Sequence, residues 1–219
     1  MRLKRKFDES NENNIFWITM TDLMTGLVLV FIVMFFYTYM TSHLELVKQK
    51  LAKENATKSL QESLDIQNID ATIDPITGIV KISNLELFEL GSFELSNKGK
   101  EYLDKFAPAY FDSLISNNYL NKHIEKIIIE GHTDSQNFKG QYSDDEQYMK
   151  NMELSLNRAF SVANYMTNTA YNKTNSDKLR KMIIVQGASY SSPILTNGKE
   201  DYAKSRRVEL KIITKDMKN

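Results

Sequence analysis

Asp22 is the one acidic or basic residue in FWITMTDLMTGLVLVFIVMFFYTYM, the 25 residues from Phe16 to Met40. A carboxylate in apolar surroundings is costly unless it is paired, solvated or protonated, so the chemistry open to it is ion or proton exchange along a protein-lined path. At helical spacing Asp22 shares a stripe with Thr25, Gly26, Leu29 and Val33. Thr25 and Gly26 are small enough to admit a second helix, and Thr25 can hydrogen-bond Asp22. The alternative is that Asp22 snorkels to lipid headgroups, a poor fit for a short side chain roughly 9 Å along the helix from Phe16.

Other chemistries are thinly supplied. Cysteine is absent, which excludes disulfides, thiolate metal sites and cysteine nucleophiles. His43, His123 and His132 are too scattered for a multi-histidine metal centre. Lys plus Arg equals Asp plus Glu at 28 each, so there is no basic field to hold nucleic acid. No nucleophile–base pair or phosphate loop is visible. His132, in Gly131–His132–Thr133–Asp134, is a base by residue type but reads better as a turn residue. Neither catalysis, a resident metal nor an organic cofactor is expected.

As a helix, 16–40 would be about 37 Å long, enough to cross a hydrocarbon core of about 30 Å with some tilt. It is too long for a signal-peptide core and no small-x-small site follows, so it reads as an uncleaved anchor. Arg2, Lys4, Arg5 and Lys6 favour a cytoplasmic N-terminus, modestly opposed by Lys48, Lys50, Lys53 and Lys58. The expected order is a cytoplasmic tail over 1–14, a transmembrane helix over 15–40, a helical stalk over 41–65 and a domain over 66–219. Leu44, Val47 and Leu51 give the stalk an apolar stripe that lapses at Glu54 and Lys58, which argues against a long coiled coil.

In the domain, Asp74–Gly78 reads as a turn, and 79–82, 124–130, 181–186 and 207–213 read as strands. One helix is predicted from Asn97 to Asn117, capped by Ser96, with Leu103, Phe106, Ala107, Phe111 and Leu114 inward and Pro108 kinking or breaking it. Another is predicted from Asn151 to Thr169 with Leu154, Ala159, Val162, Ala163 and Tyr165 or Met166 inward. Residues 88–96 and 135–150 read as loops. Strands alternating with helices predict an α/β sandwich, helices packed on one face of a small mixed sheet.

Five pieces resemble, in order, the OmpA/MotB peptidoglycan-binding domain family: LFELGSFELSNKGKEYLDKFA at 87–107, IIIEGHTD at 127–134, NMELSLNRAFSVANYM at 151–166, IVQGASYSSPI at 184–194 and SRRVELKI at 205–212. GHTD, then LSxxRA, then RRVE is specific in combination. The resemblance implies an OmpA-like fold in which Asp134 and Arg158 hold the diaminopimelate of a wall peptide. Arg158 would grip a carboxylate, Asp134 would accept from an ammonium or N–H, and Asn151 would add an amide contact. Of Arg206 and Arg207, one would line the site and the other would be solvated. The bland alternatives are that Asp134 caps its loop and Arg158 sits on an exposed helical face. Two departures stand out. The interval from Asp134 to Asn151 is long for the family, and Ser205 replaces the usual Asn before the arginine pair, which would take an amide from the site.

Trp17, Asp22 and Thr25 with the apolar run resemble the transmembrane helix of flagellar stator B-subunits, and TDLMTGLVLVF is more similar still to the MotB-like subunits of Zorya anti-phage defence systems. That resemblance implies an inner-membrane, ion-driven motor or channel subunit anchored to peptidoglycan. Asp22, with Thr25, would be the ion-carrying site for a proton or sodium ion. Its partners would be a second copy and a MotA-like (ZorA-like) multi-span subunit, with the C-terminal domain periplasmic. The competing readings are a flagellar-type stator subunit and a static wall tether with no ion path.

Overall fold

The computed structural model describes residues 2–66, 68–74, 77–89, 91–171 and 176–214. Pro75 and Ile76 of the expected 74–78 turn lie outside them. Contacts divide the chain into two units, Met1–Lys48 and Gln49–Asn219.

The first unit is helical throughout, the opening part of α1 (Arg2–Ile66). Every side chain from Ile15 to Leu44 is exposed. Among the described residues this is the helix long and apolar enough to cross a membrane, by length and composition. Such exposure of leucine, phenylalanine and isoleucine over many turns is stable in lipid and costly in water.

In the second unit the rest of α1 is a core helix. Ala52, Ala56, Leu60 and Leu64, spaced by four, are buried among the domain's own residues. The stripe expected from sequence, Leu44, Val47 and Leu51, is instead exposed. Spacing by four puts these residues on one helix face, so a single ridge of alanine and leucine enters the core.

The sheet is built from β1 (Thr72–Ile73), β2 (Val80–Ser83), β3 (Ile124–His132), β4 (Ile183–Gly187) and β7 (Arg207–Thr214), ordered β1-β2-β7-β3-β4. All neighbours are antiparallel except β3 and β4, which are parallel. A parallel pair needs a crossover. Here it is α5 (Asp144–Tyr165), a π-helical turn (Met166–Ala170) and α6 (Ser176–Met182). Strand alternation puts Ile127, Ile129, Val208 and Leu210 in the core and Glu130, His132, Arg207 and Glu209 on the opposite face.

Helix α3 (Asn97–Ser116) starts where Ser96 accepts from the Gly99 N–H at 2.9 Å. It is not broken at Pro108. Phe106, Ala107, Tyr110 and Phe111 are fully buried on either side of the proline, and that packing carries the helix through. Short helices α2 (Asn84–Leu87), α4 (Asn118–His123) and α7 (Tyr202–Ser205), and a hairpin of β5 (Leu195–Thr196) and β6 (Lys199–Glu200), complete the unit. Not foreseen from the sequence are β1, α2, α4, α6, α7 and the hairpin's two strands, which are too short or too polar to announce themselves.

Helix α5 begins seven residues earlier than its predicted start at Asn151. Ser143 and Glu146 form a reciprocal capping box, with the Ser143 N–H donating to Glu146 Oε2 at 2.8 Å. Asp144, Asp145 and Glu146 place negative charge at the helix's positive end. The long interval after Asp134 is therefore half loop and half helix.

Candidate functional site

Two glycines decide where α5 lies. Gly131 and Gly187 face each other in the β3–β4 register. A Cβ on Gly131 would stand 2.0 Å from the Ser155 carbonyl oxygen, and one on Gly187 would stand 2.8 Å from the Leu156 nitrogen. The bare backbones let α5 rest directly on the strand ends. Ser155 fixes the contact, its Oγ accepting from the Ser189 N–H at 3.0 Å. Arg158 is one turn further along α5 and Asp134 three residues past Gly131, so this close approach brings them into one pocket.

That pocket has a volume of about 180 Å³ and is lined by Thr133, Asp134, Asn151, Leu154, Arg158 and Arg206, with Gly91 and residues 136–138. Arg158 is 2% exposed. Its Nε donates to the Ser92 carbonyl at 2.9 Å, and its guanidinium lies 5.5 Å from the centre of the Phe88 ring. Its Nη nitrogens take no hydrogen bond among the described residues, which leaves them for a ligand. Burial, then the neighbouring Arg206, push its pKa down to about 10, with Asp134 acting in the other direction. The group stays cationic at neutral pH, in a place where water screens it little. Arg158 is therefore not on an exposed helical face.

Asp134, 7% exposed, is ion-paired with Arg206 and accepts from the Gln136 N–H at 3.3 Å. The one carboxylate both caps its loop and lines the pocket. Asn151 is buried, lines the pocket and donates to the Gln147 carbonyl at 3.0 Å. The chemistry on offer is zwitterion recognition: a guanidinium for a carboxylate, a carboxylate for an ammonium, and an amide between them.

Two sequence expectations need correction. Arg206 lines the pocket, but Arg207 neither lines it nor is solvated. Arg207 is buried, pairing with Glu209 Oε1 at 2.6 Å and donating to the carbonyls of Ser192 at 3.2 Å and Ser205 at 3.1 Å. It belongs to an ionic network on the far face of the sheet. There His132 Nε2 lies 2.9 Å from Glu130 Oε1 and 3.6 Å from Glu209 Oε2, and Lys211 Nζ reaches both carboxylates at 2.6 and 3.1 Å. Burial works against the Glu209 carboxylate, but the adjacent His132 and the hydrogen bond and charge of Arg207 outweigh it and hold its pKa far below the usual range. Glu130, His132 and Glu209 bring ligand atoms within 4.8 Å of one another, but Lys211 already occupies both carboxylates. Ser205 supplies no contact to the pocket either. Its buried Oγ accepts from the Ile194 N–H at 3.0 Å, a scaffold role that an amide is not needed for.

In the first unit Asp22 is exposed and forms no hydrogen bond or ion pair among the described residues. The expected Thr25–Asp22 bond is not made. Thr25 Oγ1 donates to the Thr21 carbonyl at 2.7 Å, the back-bond open to any helical threonine, which leaves its oxygen only as an acceptor.

An all-round apolar helix and a mixed sheet carrying a GHTD-to-arginine pocket are accounted for together by comparison with known proteins. Residues 87–207 match the OmpA family, more than half of the chain, and the chain belongs to that family. Within it the chain is a homologue of the MotB-like Zorya proteins. It is 37% identical to a Zorya protein ZorB from the Crooks strain of Escherichia coli, over 95% of this chain and 91% of that protein. A second Escherichia coli Zorya protein ZorB is 27% identical over 95% of this chain and 83% of its own length. Among solved structures, a putative MotB-like protein from Desulfovibrio vulgaris superposes with a TM-score of 0.52 at 20% identity, covering 77% of this chain and 95% of that one. That likeness is one of fold.

Proposed function

We propose that this chain is the ion-carrying, wall-anchored subunit of an inner-membrane Zorya motor that defends against phage. The observation that carries the reading is Asp22, a lone carboxyl in an apolar span with no partner among the described residues. A carboxylate in hydrocarbon needs partners, so they come from other chains: a second copy of this one, and a MotA-like multi-span subunit of the kind that serves stator proteins. Proton or sodium passage at Asp22, assisted by the Thr25 oxygen, would drive the partner's movement. Asp134, Arg158, Asn151 and Arg206 would hold the diaminopimelate of a wall peptide and keep the complex stationary.

The basic residues Arg2, Lys4, Arg5 and Lys6 support a cytoplasmic N-terminus and a periplasmic domain. A cysteine placed at Ser176 is expected to react with a membrane-impermeant maleimide in intact spheroplasts. Labelling only after lysis overturns the orientation.

The test of the function is phage protection by wild type and Asp22→Asn at matched membrane levels. Asparagine keeps the size and hydrogen bonding of aspartate and removes its titration. Protection is expected to be abolished in Asp22→Asn, with Asp22→Glu retaining part of it. Full protection by Asp22→Asn would reduce the protein to a static tether, since removing an idle buried charge is neutral or mildly stabilising.

A further inference from the structure

The segment from Ser135 to Ser143 is exposed almost throughout, yet it is held in place at three successive points. Glu200, on the β5–β6 hairpin, accepts from the Ser135 N–H at 3.2 Å and from the Ser135 hydroxyl. Asp134 accepts from the Gln136 N–H. The third hold is unusual. Gln147, on the first turns of α5 and 5% exposed, accepts from the Phe138 N–H at 2.8 Å through Oε1 and donates to the Phe138 carbonyl at 3.3 Å through Nε2. One buried amide thus copies the two hydrogen bonds of a strand neighbour. An exposed loop has no need of a buried side-chain clamp for its own solubility, because water would satisfy both backbone groups.

The clamp brings Gln136, Asn137 and Phe138 to the pocket, where all three join the lining beside Asp134 and Arg158. Their chemistry differs from that of the charged set. Two primary amides present donors and acceptors matched to peptide groups, and the half-buried Phe138 ring presents an apolar wall. None of the three suits an ammonium or a carboxylate better than Asp134 and Arg158 already do.

We propose that residues 136–138 are specificity-determining contacts for the neutral part of the wall peptide, the peptide bonds and methyl side chains of the alanine residues that follow the diaminopimelate. In this assignment Gln147 is the positioning residue that sets them. The proposal rests on the reading of this pocket as a wall-peptide site. It explains the two peculiarities of the 134–151 interval together: the extra loop forms the third wall, and the extra helical turns carry the glutamine that holds it.

The experiment is calorimetric titration of the full chain in detergent with two probes, free meso-diaminopimelate and the tripeptide meso-diaminopimelyl-D-alanyl-D-alanine. Wild type is expected to prefer the tripeptide by about tenfold or more, the size of one or two net hydrogen bonds. Phe138→Ala and Gln147→Ala are expected to lose most of that preference while binding free diaminopimelate within about twofold of wild type. Gln147→Glu, which can accept from the Phe138 N–H but not donate to its carbonyl, is expected to fall between. Asp134→Ala is expected to lose both probes. An undiminished tripeptide preference in Gln147→Ala and Phe138→Ala, with Asp134→Ala still abolishing binding, overturns this proposal alone. Equal loss of both probes in the two loop variants also overturns it, because it reduces Gln147 to a scaffold residue. Failure of wild type to bind either probe overturns the wall-peptide reading itself.

Discussion

Asp22 and Asp134 are both assigned to cationic partners, yet their surroundings differ in kind. Asp134 is buried, paired with Arg206, and set beside Arg158 and Asn151 by a glycine-lined helix–sheet contact. Its pocket is lined by residues of this chain. Asp22 is exposed on a helix whose every neighbour from Ile15 to Leu44 is exposed as well. On the proposed reading it is one wall of a site that other chains finish. On that reading the difference teaches how one polypeptide can hold still and support movement: the half proposed to anchor encodes its geometry internally, and the half proposed to carry ions leaves its geometry to an assembly.

The contrast can be broken first along α1 itself, where exposed and buried leucines lie on one helix. Leu64 is fully buried, so Leu64→Ala is expected to cost about 2–5 kcal/mol of domain stability through lost burial and a residual cavity. Leu29→Ala, in the exposed stretch, is expected to change the domain's unfolding by no more than about 0.5 kcal/mol. Denaturant unfolding of both variants in detergent checks this. Equal costs would mean that the span and the domain do not partition the helix as described.

A smaller effect sharpens the anchoring side. Removing the Glu209 charge in Glu209→Gln is expected to cost about 1.5–3 kcal/mol at neutral pH, softened because Glu130 still serves His132 and Lys211. The Glu209 pKa is depressed on folding below its ordinary 4.5. The stabilisation is therefore complete above the unfolded value and lost as pH falls through the folded one. The deficit of the variant against wild type should stay level from pH 8 to about 5 and shrink below about 4.5. A deficit unchanged in acid would show that Glu209 acts through packing and not through charge.

Much of this architecture is legible in the sequence, and the exceptions share a cause. Alternation in IEKIIIEGH and RVELKII gives the central strands, and GHTD with LSxxRA gives the two charged walls of the pocket. What stays hidden is amphipathicity carried by small or polar residues. Ala52 and Ala56 make a buried ridge without looking apolar, and DDEQYMK over 144–150 folds as helix because its cap and first-turn charges favour one, not because of any apolar stripe. The signal was present in Ser143-x-x-Glu146, a capping box written in four letters. Arg207 and Glu209 were readable as well, since residues two apart on a strand share a face and opposite charges there pair before they look outward. Pro108 misleads in the other direction: local propensity disfavours the helix and tertiary burial of its aromatic neighbours overrides it. Gln147 could not be found from sequence, because its two partners belong to the backbone of a loop.

The central claim is that anchoring and ion handling are separable properties of one chain. The measurement that bears on it most directly is retention on purified sacculi, in membranes from cells whose phage protection is scored in parallel, for wild type, Asp22→Asn and Arg158→Ala. Asp22→Asn is expected to be retained like wild type with protection abolished. Arg158→Ala is expected to lose about tenfold or more in retention, since a charge-assisted contact of about 1.5–3 kcal/mol is gone. Loss of sacculus retention in Asp22→Asn, or wild-type retention in Arg158→Ala, would contradict the account.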